Sequence, residues 1–239
     1  MNTKKFNKKN TQVIAHRGLS GLEVENTASA FVAAGNRSYY GMETDVHRTG
    51  DGLFILGHDD DLKRIANEDV PLERTSQKTL QSIVLLDKDG AKGREDLRLC
   101  TLENYISIAK KYEKHAILEL KSDFTDEEIE SIINIIKGYD YLDNLTFISF
   151  CYDNLLKVKK ILPDQSAQYL FWKITDEELD RLQKDKIDVD VWCCELTKEQ
   201  IEAAHARGLK VNTWTVDDPA KAEQLADWGI DFITSNILE

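Results

Sequence analysis

Short apolar runs alternate along the chain with longer amphipathic stretches, and the alternation is regular from residue 116 onward. Each apolar run has the length and composition of a buried strand, and each amphipathic stretch has the spacing of a helix. Eight strands are predicted in this way, at 13–17, 41–47, 116–121, 145–150, 166–172, 189–194, 209–216 and 231–235. Such alternation is typical of a parallel sheet whose strands are joined by helices.

The helices between these strands begin at recognisable caps. Thr125 and Glu128 have the spacing of a capping box, in which each side chain accepts a hydrogen bond from the other residue's amide. The pattern therefore predicts a helix from Thr125 to about Lys137. Similar signals recur at Thr175 with Glu178, Thr197 with Gln200, and Asp218 with Pro219.

Eight strand–helix repeats in 239 residues predict a TIM-type (β/α)8 barrel that forms one domain, residues 1–239. A doubly wound open sheet is the alternative, but it favours a glycine-rich first turn, which this chain lacks. After the strand at 41–47, R-T-G-D-G precedes another apolar run and predicts a β-hairpin. Residues 59–100 are too long for an ordinary connection. We interpret them as an inserted subdomain with short helices around Thr79–Leu86.

Composition narrows the possible partners and the location. The formal net charge of −12 and the pI near 5.0 argue against binding to nucleic acid. The four cysteines have no spacing that suggests disulfides, so we expect reduced thiols and a cytoplasmic protein. The basic N-terminal residues are not followed by the apolar run of a signal peptide, so we do not expect one. We also expect no stable membrane insertion, because no apolar run is long enough. The sequence does not predict an oligomeric state.

Ionisable groups stand where three apolar runs end, although a purely structural strand would end in turn residues. The runs are I-A-H-R-G with His16, G-M-E-T-D-V with Glu43 and Asp45, and L-F-I-L-G-H-D with His58. The carboxyl ends of barrel strands meet at one rim. The sequence therefore predicts that these side chains, together with Glu119 from A-I-L-E-L-K, converge.

The geometry of the hairpin decides whether His58 joins the two carboxylates. A two-residue turn would place His58 opposite Asp45 or Glu43, depending on where the turn is centred. Both arrangements put His58 on the face of the carboxylates, because strand side chains alternate with period two. A loop with an odd number of residues, or a bulge, would instead place His58 opposite Thr44.

Glu43, Asp45 and Glu119 would be three carboxylates in one barrel mouth. They would repel one another, and a single divalent cation, Mg²⁺ or Ca²⁺, bound by their oxygens would remove the repulsion. The alternative is that each carboxylate forms an ion pair with a nearby Lys or Arg. His16 and His58 have the ordinary pKa that suits both a general acid and a general base.

Three further residues are candidates for binding substrate. Arg17 and Lys121 supply cations for an oxyanion or a phosphate in an otherwise acidic protein. Trp214 could pack against a sugar-like or glycerol-like group, although a role in filling the core is the alternative. His115 and His205 follow charged helical runs, and we expect both at the surface.

The motifs together resemble one known family. H-R-G, E-N-T, G-M-E-T-D-V-H-R-T-G-D-G, G-H-D, L-E-L-K, N-T-W-T-V and G-I-D-F-I-T-S-N are similar to the motifs of glycerophosphodiester phosphodiesterases, over residues 14 to 236. The resemblance implies a (β/α)8 barrel that hydrolyses a small-molecule glycerophosphodiester, such as glycerophosphocholine or glycerophosphoethanolamine. The products would be glycerol 3-phosphate and an alcohol.

The resemblance also implies a role for each matching residue. His16 and His58 would be the catalytic acid and base, and Glu43, Asp45 and Glu119 would bind the metal. Arg17 and Lys121 would hold the phosphate, and Trp214 would line the glycerol pocket. A lysophospholipase D-like or phosphoinositide-type phosphodiesterase is the alternative, and a non-catalytic binding protein on the same barrel is a third hypothesis. The charged composition of 59–100 favours a soluble head-group diester.

Overall fold

The computed structural model describes residues 2–239. Nine strands alternate with helices along the chain. The strands are β1 Gln12–Ala15, β2 Gly41–Arg48, β3 Phe54–Leu56, β4 His115–Leu120, β5 Leu145–Ser149, β6 Ala167–Phe171, β7 Asp188–Trp192, β8 Val211–Trp214 and β9 Phe232–Ser235. The α-helices are α1 Ala28–Gly35, α2 Lys63–Ala66, α3 Gln77–Ser82, α4 Leu102–Lys111, α5 Asp126–Gly138, α6 Tyr152–Ile161, α7 Asp176–Asp185, α8 Lys198–Ala206 and α9 Pro219–Asp227.

Eight of the strands form a closed parallel barrel. In order around the ring they are β1, β2, β4, β5, β6, β7, β8 and β9, and β9 pairs with β1 to close it. The remaining strand, β3, pairs antiparallel with β2 outside the ring. The predicted (β/α)8 barrel and the hairpin after the second strand are therefore confirmed.

The caps explain why the helices start where they do. The Thr125 hydroxyl accepts from the amide of Glu128, and the Glu128 carboxylate accepts from the amide of Thr125. Thr197 and Gln200 make the same reciprocal pair at the start of α8. These two predicted capping boxes are confirmed.

The first barrel strand is shorter than predicted, because it ends at Ala15 rather than at residue 17. Arg17 and Gly18 follow with φ values of 53° and 73°, which turn the chain sharply at the rim. A Cβ on Gly18 would lie 2.7 Å from the backbone carbon of Ala30 in α1, so this position requires glycine. The H-R-G sequence is therefore a tight turn that leaves the sheet as soon as His16 has been placed.

The register of the hairpin differs from both expected registers. Val46 pairs with Leu56 and Arg48 pairs with Phe54, which leaves a five-residue loop, 49–53, between the strands. The Thr49 side chain closes this loop, because its hydroxyl oxygen accepts from the amide of Leu53 at 3.0 Å. A two-residue turn was therefore the wrong prediction, and the odd-residue loop is correct.

His58 nevertheless reaches the barrel mouth, because β3 ends at Leu56 and strict alternation no longer applies beyond it. The amide of Gly57 still donates to the carbonyl of Asp45 at 3.0 Å, which keeps the chain close to β2 as it leaves the sheet. The position of His58 thus depends on where β3 ends rather than on the pairing.

Residues 59–100 contain two short helices, α2 and α3, and a buried apolar cluster of their own. The cluster includes Leu62, Leu72, Leu80, Leu85 and Leu97, and it packs against Val24 and Ile55. The short helix expected around Thr79–Leu86 lies at Gln77–Ser82.

None of the helices in residues 2–239 combines the length and the apolar composition that are needed to cross a bilayer.

Candidate active site

A cavity of about 120 Å³ opens at the carboxyl ends of the barrel strands. All eight barrel strands, or the loops that follow them, contribute to its lining, and His58 joins them from the segment after β3. The lining residues are His16, Arg17, Glu43, His58, Glu119, Ile148, Phe150, Leu170, Asp190, Trp214, Thr215 and Thr234. The structure therefore brings six of the eight predicted site residues to one cavity wall. The other two, Asp45 and Lys121, lie directly behind that wall.

Three carboxylates meet beside the cavity. Glu43, Asp45 and Glu119 are all at least nine-tenths buried, and one oxygen of each lies within 4.8 Å of the other two. Burial, followed by the charge of Asp45, raises the pKa of Glu43 well above its usual range and that of Glu119 to about 8. Burial also opposes the charged form of Asp45, but Arg17 and Lys121 outweigh it and hold its pKa low. The cluster is thus electrostatically costly when no cation is bound.

The donor set fits a hard divalent cation. Buried carboxylate oxygens are the ligands that Mg²⁺ and Ca²⁺ prefer, and a dication would remove the repulsion that raises two of the three pKa values. Pairing with Lys and Arg satisfies the cluster only in part. Lys121 Nζ lies 3.1 Å from Glu119 and 3.8 Å from Asp45, whereas Glu43 accepts only from the backbone amide of Arg17, at 2.8 Å.

His16 is held in one orientation by Asn236. Its Nδ1 lies 2.7 Å from Oδ1 of Asn236, and the amide nitrogen of Asn236 donates to Asp217 at 2.6 Å. Since the carboxylate of Asp217 only accepts, the amide oxygen must face His16, and Nδ1 must carry the proton. Burial, followed by the charge of Arg17, lowers the pKa of His16 to about 4. Neutral His16 therefore presents an unprotonated Nε2, which lies 4.0 Å from Glu43.

His58 has an equivalent partner in Asp59. Its Nδ1 lies 2.7 Å from Oδ1 of Asp59, whose other oxygen accepts from Nε of Arg64 at 2.7 Å. Burial opposes the charged form of Asp59, but the hydrogen bonds from Arg64 and His58 hold its pKa at about 2. The carboxylate thus fixes the proton on Nδ1 of His58 and leaves Nε2 for chemistry.

The guanidinium of Arg17 is already paired. Nη1 donates to Glu25 at 2.9 Å, and Nε lies 3.5 Å from Asp45. The amide of Asn26 donates to Asp45 at 2.9 Å. Arg17 therefore both lines the cavity and neutralises the acidic cluster.

An aromatic wall, formed by Phe150, Trp172, Trp192 and Trp214, borders the cavity. The ring of Trp172 lies 5.2 to 5.8 Å from the rings of the other three. Trp172 is 59% exposed and Phe150 39% exposed, whereas Trp214 reaches into the cavity. The wall supplies a flat apolar surface beside otherwise charged groups.

Sequence reasoning missed five residues of the site. Four contact predicted residues, namely Glu25, Asn26, Asp59 and Asn236, and the fifth, Asp190, lines the same cavity. Four of them stand inside the quoted motifs E-N-T, G-H-D and T-S-N, so the motifs contained the signal. For Asp190 the sequence offered only the alternation of V-D-V-W, which predicts that the side chain faces inward but does not indicate a function. Burial raises the pKa of Asp190 well above its usual range.

Comparisons with known proteins agree with this geometry. Residues 16–238 match the model of the glycerophosphoryl diester phosphodiesterase family. A glycerophosphodiester phosphodiesterase from Caldanaerobacter subterraneus is 28% identical over 238 residues, covering 95% of this chain and 94% of the relative.

Two solved structures share both the fold and part of the sequence. An Oleispira antarctica phosphodiesterase, determined in complex with the product sn-glycerol-3-phosphate, has a TM-score of 0.86 and 29% identity over 98% of this chain and 96% of that chain. A glycerophosphodiester phosphodiesterase from Parabacteroides distasonis has a TM-score of 0.81 and 28% identity over 96% of this chain and 94% of that chain.

Proposed function

The chain belongs to the glycerophosphoryl diester phosphodiesterase family and hydrolyses glycerophosphodiesters to glycerol 3-phosphate; on this premise we propose that catalysis requires a divalent metal and uses His16 and His58 as acid and base. The observation that supports this proposal is the cavity itself. Two imidazoles line it, and each has Nδ1 fixed by an acceptor, beside three buried carboxylates.

The phosphate group is bound at the acidic end of the cavity. Glu43, Asp45 and Glu119 would hold Mg²⁺ or Ca²⁺. When bound, such a cation would supply Lewis-acid chemistry that offsets the negative charge of the phosphoryl group. Lys121 and Arg17 keep Asp45 ionised and add positive charge near the phosphate, which favours the more highly charged transition state.

Two proton transfers complete the reaction. One histidine removes a proton from the nucleophile, which is either the glycerol 2-hydroxyl or a water molecule. The other protonates the alkoxide of the leaving alcohol. The Nε2 atoms are the reactive positions, because Asn236 and Asp59 hold the Nδ1 atoms of His16 and His58. We propose glycerophosphocholine and glycerophosphoethanolamine as substrates.

A lysophospholipase D-like activity is the second candidate, and the exposed aromatic wall is the observation that favours it. Trp172 and Phe150 stand at the rim, where an acyl chain of the substrate would leave the cavity. Turnover of a lysophospholipid that exceeds turnover of glycerophosphocholine would establish this candidate.

Release of glycerol 3-phosphate from several glycerophosphodiesters, measured with and without EDTA, tests the proposal. We expect EDTA to abolish release and either Mg²⁺ or Ca²⁺ to restore it. The variants His16→Ala and His58→Ala should lose turnover while keeping the fold. Undiminished release after complete chelation would disprove the metal requirement, and near-normal turnover of either histidine variant would disprove the acid–base pair.

A further inference from the structure

Asp190, on β7, is a buried carboxyl group that the proposed mechanism does not use. Its side chain is 1% exposed and lines the same cavity as His16 and Glu119. Among residues 2–239, no group lies within hydrogen-bonding distance of its Oδ1. It is not one of the three carboxylates whose oxygens come together in the acidic cluster, so a cation bound there would not account for it.

An unpartnered buried carboxyl group reduces stability, and its retention needs an explanation. The neighbouring polar groups leave Oδ1 without a partner, although Asn212 interacts with the carboxyl group and opposes the rise in its pKa. Asn212 and Thr234 lie beside it in the barrel interior, but the amide of Asn212 donates to the Thr234 hydroxyl at 3.1 Å. The free oxygen of Asp190 is therefore available to a molecule that enters the cavity.

The cavity contains a complementary free donor. Nε1 of Trp214 is also buried and has no partner within residues 2–239. Ile148 and Leu170 add apolar surface to the same cavity. The space of about 120 Å³ corresponds to about four water molecules at about 30 Å³ each, which suits a small polyol.

We propose that Asp190 is a specificity-determining residue that hydrogen-bonds the terminal hydroxyl of the substrate's glycerol group, the hydroxyl that takes no part in cleavage. A hydroxyl both donates and accepts, so it can pair with the carboxyl group in either protonation state. The indole N–H of Trp214 binds the other glycerol oxygen. This assignment rests on the proposed function, since it takes the phosphate to lie against the acidic cluster.

A substrate that lacks only this hydroxyl provides the test. We compare kcat/KM for glycerophosphocholine with that for the phosphocholine diester of 1,2-propanediol, in the wild type and in Asp190→Ala. We expect the wild type to prefer glycerophosphocholine by about 10- to 100-fold, the usual range for one hydrogen bond to a charged group. Asp190→Ala should lose this preference and leave the rate on the propanediol diester within about twofold.

Two variants and two further measurements serve as controls. Asp190→Asn keeps an acceptor and should retain part of the preference. Asp188→Asn changes a carboxylate on the same strand, where Asp188 accepts from the amide of Lys210 at the other end of the barrel, and should leave both rates unchanged. The melting temperature of Asp190→Ala should equal or exceed that of the wild type. Calorimetry on the metal-loaded enzyme should show weaker binding of glycerol 3-phosphate to Asp190→Ala, with binding of 1,2-propanediol phosphate unchanged.

Equal losses on both diesters, or a wild type that does not distinguish them, would overturn the assignment. Either result would mean that Asp190 holds only water or stabilises the fold. Failure of the proposed mechanism would appear differently, as turnover that survives chelation or loss of a histidine. The two failures are therefore distinguishable.

Discussion

The two ends of the barrel invite comparison, because each has a cavity with a partly or fully buried histidine. At the carboxyl ends of the strands, here called the mouth, His16 lies in a cavity of about 120 Å³. At the amino ends, here called the base, His115 lies in a cavity of about 190 Å³. Burial lowers the pKa of both histidines to about 4, with help from Arg17 at the mouth and Lys210 at the base. Neither cavity size nor a lowered histidine pKa separates the two ends.

The difference lies in how the charged groups are paired. At the base, His115 bonds the Thr146 hydroxyl at 2.8 Å and stacks on Tyr40. Asp188 accepts from the amide of Lys210. Among the residues that line the base cavity, all within the described range 2–239, the buried side-chain atom without a hydrogen-bond partner is the neutral amide oxygen of Gln168. The mouth instead has a cluster of three carboxylates with too few cations. Convergence of incompletely paired charge marks a functional site better than a perturbed pKa alone.

Replacing histidines should separate the two ends most clearly. His16→Ala and His58→Ala should each reduce kcat for glycerol 3-phosphate release by about 10²- to 10⁴-fold, because general acid–base catalysis contributes that much. His115→Ala at the base should leave kcat within about twofold, because its ring contacts only structural neighbours. A comparable loss of kcat in the base variant would remove the functional distinction between the ends.

Metal binding should stabilise the fold through the mouth alone. With Mg²⁺ or Ca²⁺ at about 100 times its dissociation constant, we expect the free energy of unfolding to rise by about 2.7 kcal/mol. Glu119→Gln should abolish this increase, because it removes one of the three converging carboxylates. Asp188→Asn at the base should keep it. Urea unfolding with and without metal measures the difference, and an increase that persists in Glu119→Gln would place the cation elsewhere.

Local signals made the barrel predictable. The capping boxes at Thr125 and Thr197 and the alternation of strands and helices depend on residues close in sequence, and the structure confirms them. The carboxylates and His16 were predictable because barrel strands end at a common rim. The strand that begins at His115 shows the limit. His115 was expected at the surface, but it is the first residue of β4 and is mostly buried against Tyr40.

Long-range or irregular geometry explains what the sequence did not predict. The hairpin loop is closed by the backbone and the side chain of Thr49, which both bond Leu53, and R-T-G-D-G alone did not decide between this odd-residue loop and a two-residue turn. Asn236 contacts His16 from 220 positions away, which only closure of the barrel brings about. Asp190 differs from other inward-facing residues because its Oδ1 has no partner within residues 2–239, and that lack is visible only in three dimensions.

Replacing His115 should isolate the contribution of the base to the pH dependence of stability. His115 takes up a proton at about pH 4 in the folded protein but at about pH 6.5 in the unfolded chain. Between these values the unfolded chain binds more protons, so stability falls as the pH drops from about 6.5 to about 4. His115→Gln should remove a loss of stability on the order of 2 kcal/mol. This is less than the full free-energy equivalent of the pKa shift, because the ring is not completely buried. Urea unfolding of the wild type and of His115→Gln at pH 7 and pH 4.5 measures the free energy of unfolding. An equal loss of stability in both proteins on acidification would contradict the prediction.

Replacing the acceptors that orient the histidines should produce the smallest difference in kcat between the two ends. Asp59 holds Nδ1 of His58 at 2.7 Å, and Thr146 holds Nε2 of His115 at 2.8 Å. Asp59→Asn should lower kcat by about tenfold with little change in KM, because an amide can also donate and so no longer fixes the tautomer. The loss is limited because Asp59 is 30% exposed and water can replace its oxygen.

Thr146→Val is the matched change at the base and should leave kcat unchanged, although it removes a hydrogen bond of similar length. Asp59→Glu should recover part of the lost activity, since it restores an acceptor-only group. If Asp59→Asn raised KM and left kcat intact, Asp59 would bind substrate rather than position His58. If both variants lowered kcat equally, rigidity of the barrel as a whole, and not orientation of one imidazole at the mouth, would set the rate.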